Sequence, residues 1–137
     1  MMLPLLTSQL HDALQDYFDG LYHCDMMLLR AVFHPNAIYV CATEEPLVLL
    51  TMDEYFPIVE AREPPSARGE QRLDTIETIS FAGPRTAFAR VRCAIGNRYF
   101  TDFLTIIEQD GRWQIISKVF HFDFLPDEPA SLTRNRS

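Results

Sequence analysis

The chain has 137 residues, of which 47% are hydrophobic and 23% are charged. This length suits one domain, and this composition is typical of a globular protein and excludes a disordered one. The chain has 12 Lys and Arg residues and 19 Asp and Glu residues, which gives a formal net charge of −7. A chain this acidic is a poor candidate for nonspecific binding to nucleic acid or to an anionic membrane.

Membrane and metal signals are missing from the sequence. No apolar run approaches the roughly 18 residues that a membrane span needs, and we expect no secretory signal because the start lacks a basic region and a cleavage site. The three cysteines, Cys24, Cys41 and Cys93, are odd in number and far apart. They form no zinc-binding pattern with the histidines, so no metal and no cofactor is predicted. Three reduced thiols are typical of a cytoplasmic protein.

The first helix is predicted from apolar residues that recur at every third or fourth position between Leu10 and Leu21. Thr7 or Ser8 is suited to cap its start, since a hydroxyl accepts a hydrogen bond from the first helical N–H groups. Gly20 lies inside this helix, where glycine lowers stability by about 1 kcal/mol relative to alanine.

Two further helices are predicted before residue 62. Asp25 has the position of an N-cap for a short second helix, which the dipeptide His34-Pro35 should end because the residue before proline avoids helical geometry. Thr51 and Glu54 have the spacing of a capping box at the start of a third helix. Pro57 lies inside that helix and predicts a kink or an early end.

The second half of the chain carries strand patterns separated by turns. Gly96-Asn97 and Asp110-Gly111 are two-residue hairpin signals, and Gly83-Pro84 marks another turn. The predicted meander strands cover about 71–81, 86–95, 98–109 and 112–123, with short strands at 37–42 and 44–50 and a loop at 62–70. Strands this long tend to twist, so we expect an α+β fold with N-terminal helices packed on a strongly curved antiparallel sheet.

The two hairpins predict which side chains share a face of this sheet, with Asp102 opposite Val119. The inner face, covered by the helices, is mostly apolar and holds Ala87, Ala89, Val91, Cys93, Ile95, Phe100, Asp102, Leu104, Ile106, Trp113, Ile115, Ser117, Val119 and His121. The outer face mixes aromatic and cationic residues and holds Phe88, Arg90, Arg92, Tyr99, Thr101, Phe103, Thr105, Ile116, Lys118, Phe120 and Phe122. A slip of one residue would exchange the two sets.

Asp102 and His121 are the polar exceptions on the predicted inner face. They are diagonal neighbours on adjacent strands, and a buried charge is costly unless a partner offsets it. One interpretation is a pocket in which both residues bind a ligand or act as acid and base. The structural alternative is a hydrogen-bonded Asp–His pair, or a histidine that reaches solvent at the strand end.

Other candidates for the pocket lie on the first helix and on the first strand. Tyr17 shares the apolar stripe of its helix, and Tyr39 and Cys41 share one face of their strand. Trp113 is a candidate wall of the pocket, and Ser117 a small residue on the same face. Cys41 is interpreted as a structural thiol, because no motif supplies the base that a nucleophile needs.

The aromatic and cationic outer face predicts a homodimer, because an exposed apolar patch usually marks an interface. The candidate contacts are Phe88, Arg90, Phe103, Lys118, Phe120 and Phe122. The domain itself is expected to span residues 1–125, and residues 126–137 to form a disordered C-terminal tail.

The pattern as a whole resembles the nuclear transport factor 2-like superfamily, the cystatin-like cone that includes SnoaL-like and ketosteroid-isomerase-like proteins. Within it, the sequence is most similar to the branch named putative lumazine-binding, over about residues 8–123. The residues that carry the resemblance are Asp25 and the segments 17–21, 33–37, 100–104, 110–113 and 118–120. The resemblance implies helices packed into a strongly bent meander sheet that encloses a pocket.

Members of this superfamily that are similar to ketosteroid isomerase, polyketide cyclases and dehydratases perform acid–base chemistry in that pocket. Under this resemblance, the helix-one tyrosine of the isomerase falls on Tyr17, and its protonated aspartate lies near Asp102. The aspartate that moves the proton falls on Cys41, a departure that disfavours isomerase chemistry.

Three functions remain open from the sequence. The first is a binding protein for a small organic ligand, aromatic ligands included, with Tyr17, Tyr39, Asp102 and His121 orienting it. The second is an isomerase, dehydratase or cyclase that uses Asp102 and His121 as acid and base. The third is a protein-interaction module that works through the outer face of the sheet.

Overall fold

The computed structural model describes residues 2–126 and has the predicted α+β class. Three helices pack on a six-stranded mixed sheet whose strand order is β2-β1-β6-β5-β4-β3. The elements are α1 (Met2–His23), α2 (Met26–Val32), β1 (Phe33–Cys41), β2 (Val48–Thr51), α3 (Met52–Glu60), β3 (Thr75–Phe81), β4 (Thr86–Ile95), β5 (Arg98–Gln109) and β6 (Arg112–Phe124). Strands β3 to β6 form the antiparallel meander, and β1 joins it parallel to β6.

The capping residues of the two short helices are confirmed. The Asp25 carboxylate accepts hydrogen bonds from two backbone N–H groups at the start of α2, and Thr51 and Glu54 form the capping box of α3. Of the two alternatives predicted at Pro57, a kink or an early end of α3, the early end is excluded because the helix continues to Glu60.

Helix α1 begins earlier than predicted, at Met2, so the caps proposed at Thr7 and Ser8 are wrong. The helix tolerates Pro4 in its first turn, since the first backbone N–H groups of any helix have no intrahelical partner.

The observed strand bounds agree best with the predicted ones next to the two hairpin turns, Gly96-Asn97 and Asp110-Gly111. The predicted strands 86–95 and 98–109 are observed, and β6 extends one residue beyond the predicted 112–123. The first strand begins at Phe33, directly after α2, instead of at residue 37. The next strand covers Val48–Thr51 instead of 44–50, and β3 begins at Thr75 instead of at residue 71. Residues before β3 make side-chain contacts instead, as Arg72 pairs with Asp74.

The register of the first hairpin, between β4 and β5, is as predicted. Val91 lies opposite Asp102, and Ile95 lies opposite Arg98 across the Gly96-Asn97 turn. This register places Asp102 on the inner face of the sheet, where it is fully buried.

The register of the second hairpin differs from the prediction because β6 contains a bulge. Ile106 pairs with Ile115, but the next residue of β5, Thr105, pairs with Ser117, so Ile116 is an extra residue in its strand. A bulge of this kind reverses the alternation of all side chains that follow it. Asp102 therefore lies opposite Phe120, and not opposite Val119.

The predicted faces of β6 are consequently wrong beyond Ile116. Lys118, Phe120 and Phe122, which were expected on the outer face, are buried on the inner one. Their placement among the outer-face dimer contacts is wrong for the same reason. Ser117, Val119 and His121, expected on the inner face, belong to the outer set.

The hydrophobic core lies between the helices and the inner face. Helix α1 contributes Leu10, Leu14 and Tyr17, and these join small residues of β4 such as Ala87 and Ala89 in one buried cluster. None of the described helices is both long and apolar enough to cross a membrane. Of the predicted C-terminal tail, residues 127–137 lie outside the described part of the chain.

The close approach of α1 and α2 requires glycine at position 20. A Cβ atom there would lie 2.7 Å from Cδ2 and 2.8 Å from Cγ of the buried Leu29. Gly20→Ala should therefore lower the free energy of unfolding by about 1 kcal/mol, because overpacking outweighs the gain in helix propensity. Urea unfolding followed by circular dichroism measures this change.

A double-mutant cycle isolates the contact. In a Leu29→Ala background, Gly20→Ala should instead raise the free energy of unfolding by about 1 kcal/mol, since only the helix propensity of alanine remains. Stabilisation by Gly20→Ala in both backgrounds would contradict the tight contact.

Candidate functional site

A cavity of about 500 Å³ opens at the end of the sheet where β1 and β6 end and β5 begins. Four aromatic side chains line it together with Cys41, and these are Tyr39, Phe100, Phe120 and Phe122. This volume lies within the range of small-molecule sites, and aromatic walls are typical of them.

The aromatic side chains of the cavity form a continuous cluster. The Phe120 ring centroid lies 4.8 Å from that of Tyr39 and 5.7 Å from that of Phe100. Phe100 in turn lies 5.9 Å from Phe122, and Tyr39 stacks on Tyr55 at 4.2 Å. Rings that contact one another in this way are held in fixed orientations and offer flat apolar surface to a ligand.

The rim of the cavity is charged. Arg62 and Arg98 line it together with Glu44 and Glu45. The Arg98 guanidinium lies 4.2 Å from the ring centroid of Phe122, in cation–π distance. The site thus combines an aromatic floor with charged groups at its opening.

A buried polar pair connects α1 to the sheet next to this cavity. The Tyr17 hydroxyl donates a hydrogen bond of 2.5 Å to Oδ2 of Asp102. Burial raises the pKa of Tyr17 well above its usual 10.0, and the Asp102 carboxylate raises it further. Tyr17 therefore stays protonated at neutral pH and acts as the donor. The other carboxylate oxygen of Asp102, Oδ1, is buried and has no hydrogen-bond partner within the described residues.

Lys118 supplies the opposite charge in the same buried layer. It is 5% exposed, and its ammonium nitrogen lies between 5.1 and 5.8 Å from the centroids of the four rings of Tyr17, Tyr39, Tyr55 and Phe120. Such an aromatic cage attracts a cation through the negative ring faces. Lys118 and Asp102 both contact Tyr17, but they form no ion pair or hydrogen bond with each other among the described residues.

The cavity and the buried polar group are adjacent but distinct. Tyr17, Asp102 and Lys118 do not line the cavity. Tyr39 and Phe120 line it and also contact the Lys118 ammonium, so these two rings connect the cavity to the buried charges.

The structure brings some of the predicted site residues together and separates others. Tyr39 and Cys41 line the cavity, and Tyr17 meets Asp102 beside it. Trp113 is near the opposite end of β6, where its indole N–H donates to Gln9 at 3.3 Å. Ser117 follows the bulge and pairs with Thr105 away from the cavity.

His121 does not join Asp102. Its Nδ1 atom lies 2.8 Å from the Thr43 hydroxyl and its Nε2 atom 3.1 Å from the Asp123 carboxylate, and its side chain is 58% exposed. The bulge at Ile116 turns it to the outer face, so the predicted Asp102–His121 acid–base pair is not assembled.

Several residues of the site were missed in the sequence. Lys118, Phe120 and Phe122 were assigned to the outer face, and Arg62 was not considered because it lies in the loop after α3. The sequence does contain a signal for the burial of Lys118, Phe120 and Phe122. The apolar residues of β6 occupy odd-numbered positions up to Ile115 and mainly even-numbered positions after Ile116.

All three cysteines are free thiols, and burial raises the pKa of Cys93, which keeps that thiol protonated. Residues 2–126 contain no group of three or more His, Cys, Asp or Glu side chains placed to hold a metal ion.

The hydrogen bond from Tyr17 to Asp102 should contribute more to stability than a neutral one. Tyr17→Phe leaves both carboxylate oxygens of the buried Asp102 without a partner, so the free energy of unfolding should fall by about 1.5–3 kcal/mol. Urea unfolding of the purified variant checks this.

Tyr22→Phe is the matched control, because the Tyr22 hydroxyl donates to the uncharged backbone oxygen of Glu70 at 2.6 Å. The free energy of unfolding should fall by less in this variant, by about 0.5–1.5 kcal/mol. Equal losses in the two variants would contradict the larger contribution of the Tyr17–Asp102 hydrogen bond.

Solved structures with this fold come from several bacteria. A nuclear transport factor 2-like protein of unknown function from Silicibacter pomeroyi is 23% identical, with a TM-score of 0.81 over 90% of this chain and 100% of the other. A putative scytalone dehydratase from Novosphingobium aromaticivorans is 16% identical, with a TM-score of 0.68 over 90% and 87% of the chains. A ketosteroid isomerase-like protein from Erwinia carotovora atroseptica is 12% identical, with a TM-score of 0.66 over 84% and 94%.

At these identities the similarity shows the fold alone, and no functionally curated protein matches the sequence. The fold expected from the sequence resemblance is nevertheless confirmed. The profile of the family described as "Putative lumazine-binding" matches residues 7–121, which is most of the chain. The chain therefore belongs to the putative lumazine-binding family and has the nuclear transport factor 2-like fold.

Proposed function

We propose that this protein binds a small organic molecule with a flat aromatic ring in the cavity at the end of the sheet. The observation that carries this proposal is the cavity of about 500 Å³ with Tyr39, Phe100, Phe120 and Phe122 in its wall. Their rings contact one another, so a planar ligand meets a surface that is already ordered. Preorganised apolar surface lowers the entropic cost of binding.

The family description supports the same ligand class. Lumazine is a fused pair of nitrogen-containing rings, and a ring system of this size is small enough for the cavity. Lumazine is therefore a reasonable first member of a ligand panel.

Catalysis of the isomerase or dehydratase type is the less supported function. The neighbours described as ketosteroid isomerase-like and as a putative scytalone dehydratase share the fold at 12% and 16% identity. In this chain Cys41 occupies the position that the isomerase resemblance gives to the proton-moving aspartate, and Asp102 does not line the cavity. Binding without turnover is the function that the lining residues support best.

We also propose that two copies associate through the outer face of the sheet. Phe103 is 45% exposed and Val119 is 42% exposed. The Phe103 ring lies 5.5 Å from that of Phe88 and 5.6 Å from the Arg90 guanidinium, which gives an ordered patch of aromatic and cationic groups. Exposed apolar patches of this kind usually mark interfaces.

A cytoplasmic location is proposed as well. It is supported by three unpaired cysteines, Cys24, Cys41 and Cys93, since such thiols are typical of reducing compartments.

The fluorescent dye N-phenyl-1-naphthylamine, which is aromatic and neutral, tests the cavity. Its emission should rise on binding, and Cys41→Trp should weaken this binding at least tenfold by filling the cavity. Val48→Trp is a second variant that should fill the cavity and weaken dye binding. Val48 lines the cavity but is 38% exposed, so a larger side chain fits there without disturbing the core.

Leu49→Trp is the control for these variants. Leu49 neighbours Val48 in β2, is 58% exposed and does not line the cavity, so the dye should bind this variant as it binds the wild type. Equal dye binding to all folded variants, or none to the wild type, would refute the proposed cavity function.

The proposed dimer is tested by light scattering coupled to size exclusion. The wild type should elute at twice the mass of the chain, and Phe103→Glu should convert it to a monomer. Ile58→Glu, at a site that is 50% exposed on α3, should leave the dimer intact. A monomeric wild type at micromolar concentration would contradict the proposal.

A further inference from the structure

Both cationic and acidic side chains line the cavity of this acidic protein. Arg62 and Arg98 line the cavity, and the Lys118 ammonium contacts two of its wall residues. The chain as a whole has 19 acidic and 12 basic residues, so carboxylates are plentiful as partners for arginines.

Five of the seven other arginines in the described part of the chain have a carboxylate partner, whereas Arg30 and Arg112 have none. Four of them have a carboxylate oxygen within 3.0 Å, and these are Arg68, Arg72, Arg85 and Arg90. Within residues 2–126, by contrast, no ion pair or side-chain hydrogen bond is made by Arg62, which is half-buried. Arg98 stacks on Phe122 and Phe124 and has no carboxylate within 4.0 Å among those residues.

The acidic groups near the cavity do not satisfy these arginines. Glu44 and Glu45 lie on the same rim, exposed to solvent, and neither forms an ion pair with Arg62 or Arg98. Lys118 contacts the rings of Tyr39 and Phe120 and does not itself line the cavity. The two guanidinium groups therefore line the cavity without a carboxylate partner, Arg62 half-buried and Arg98 exposed. A planar carboxylate is the group that such donors match in geometry.

We propose that the natural ligand is a planar aromatic anion, with its ring against Phe120 and Tyr39 and its carboxylate or similar acidic group held by Arg62 and Arg98. This inference rests on the proposed binding function and specifies the chemical class of its ligand. An anionic ligand enters a rim where an arginine is half-buried, so the charge-assisted hydrogen bonds are screened less by water than on an open surface.

Three naphthalene derivatives of matched shape test the charge of the ligand. The probes are 2-naphthoate, which is anionic, 2-naphthamide, which is neutral, and 2-naphthylmethylammonium, which is cationic. Each is titrated against the protein with bound N-phenyl-1-naphthylamine, whose displacement reports binding. The naphthoate should displace the dye at a concentration at least tenfold lower than the amide, and this advantage should shrink as salt is added.

Arginine variants assign the effect to the rim. Arg62→Gln and Arg98→Gln should each weaken naphthoate binding about tenfold, the effect of losing a charge-assisted hydrogen bond, and leave amide binding unchanged. Arg85→Gln is the matched control, because it removes the same charge where Arg85 pairs with Glu108, outside the cavity.

Each outcome decides between the two proposals. Dye binding to the wild type without preference for naphthoate, or with preference for the ammonium compound, would overturn the anionic ligand and leave the cavity function standing. A naphthoate preference that Arg62→Gln and Arg98→Gln both retain would overturn the role of the arginines. Failure of the dye itself to bind would refute the cavity function.

Discussion

The hydrogen bond between Tyr17 and Asp102 joins the first helix to the middle of the sheet inside an apolar core. A buried carboxylate loses its hydration, and it is tolerated only where donors and an opposite charge replace the lost water. Here the donor comes from α1 and the carboxylate from β5, and the cationic Lys118 of β6 packs over the same tyrosine ring. The position of α1 and the register of β5 must therefore both be correct, because otherwise Asp102 is buried without the Tyr17 donor.

The bulge at Ile116 makes this arrangement possible. Without the extra residue, β6 would turn Lys118 and Phe120 to the outer face and present Val119 and His121 to the core. One inserted residue thus turns both Lys118 and the Phe120 ring of the cavity wall to the inner face. Bulges are often found next to binding sites because they re-aim side chains in this way.

Sequence reasoning was most successful where local chemistry decides the structure. The turn at Gly96-Asn97 sets the pairing of β4 and β5, so the burial of Asp102 followed from it directly. The caps of the short helices were equally local, since Asp25 and Thr51 bond to N–H groups within their own segments. The second hairpin began as predicted too, with Gln109 opposite Arg112.

The remaining features depend on contacts between distant segments. The bulge in β6 interrupts a period that the turn alone predicts to continue, and its main trace in the sequence is the change of apolar phase after Ile115. The parallel pairing of β1 with β6 places Tyr39 beside Lys118. No tight turn joins these two strands, so no local sequence signal predicts their pairing. Arg62 reaches the cavity from a loop, where no periodicity indicates the direction of a side chain.

That parallel pairing also has a consequence for folding. In the β4–β5–β6 meander, neighbouring strands pair across short loops. Strands β1 and β6 also pair, but most of the chain lies between them. Long loops are closed slowly, because the entropy of closure is lost before any contact is gained. The cavity wall therefore depends on a pairing between segments far apart in the chain, because Tyr39 comes from β1 and Phe120 from β6.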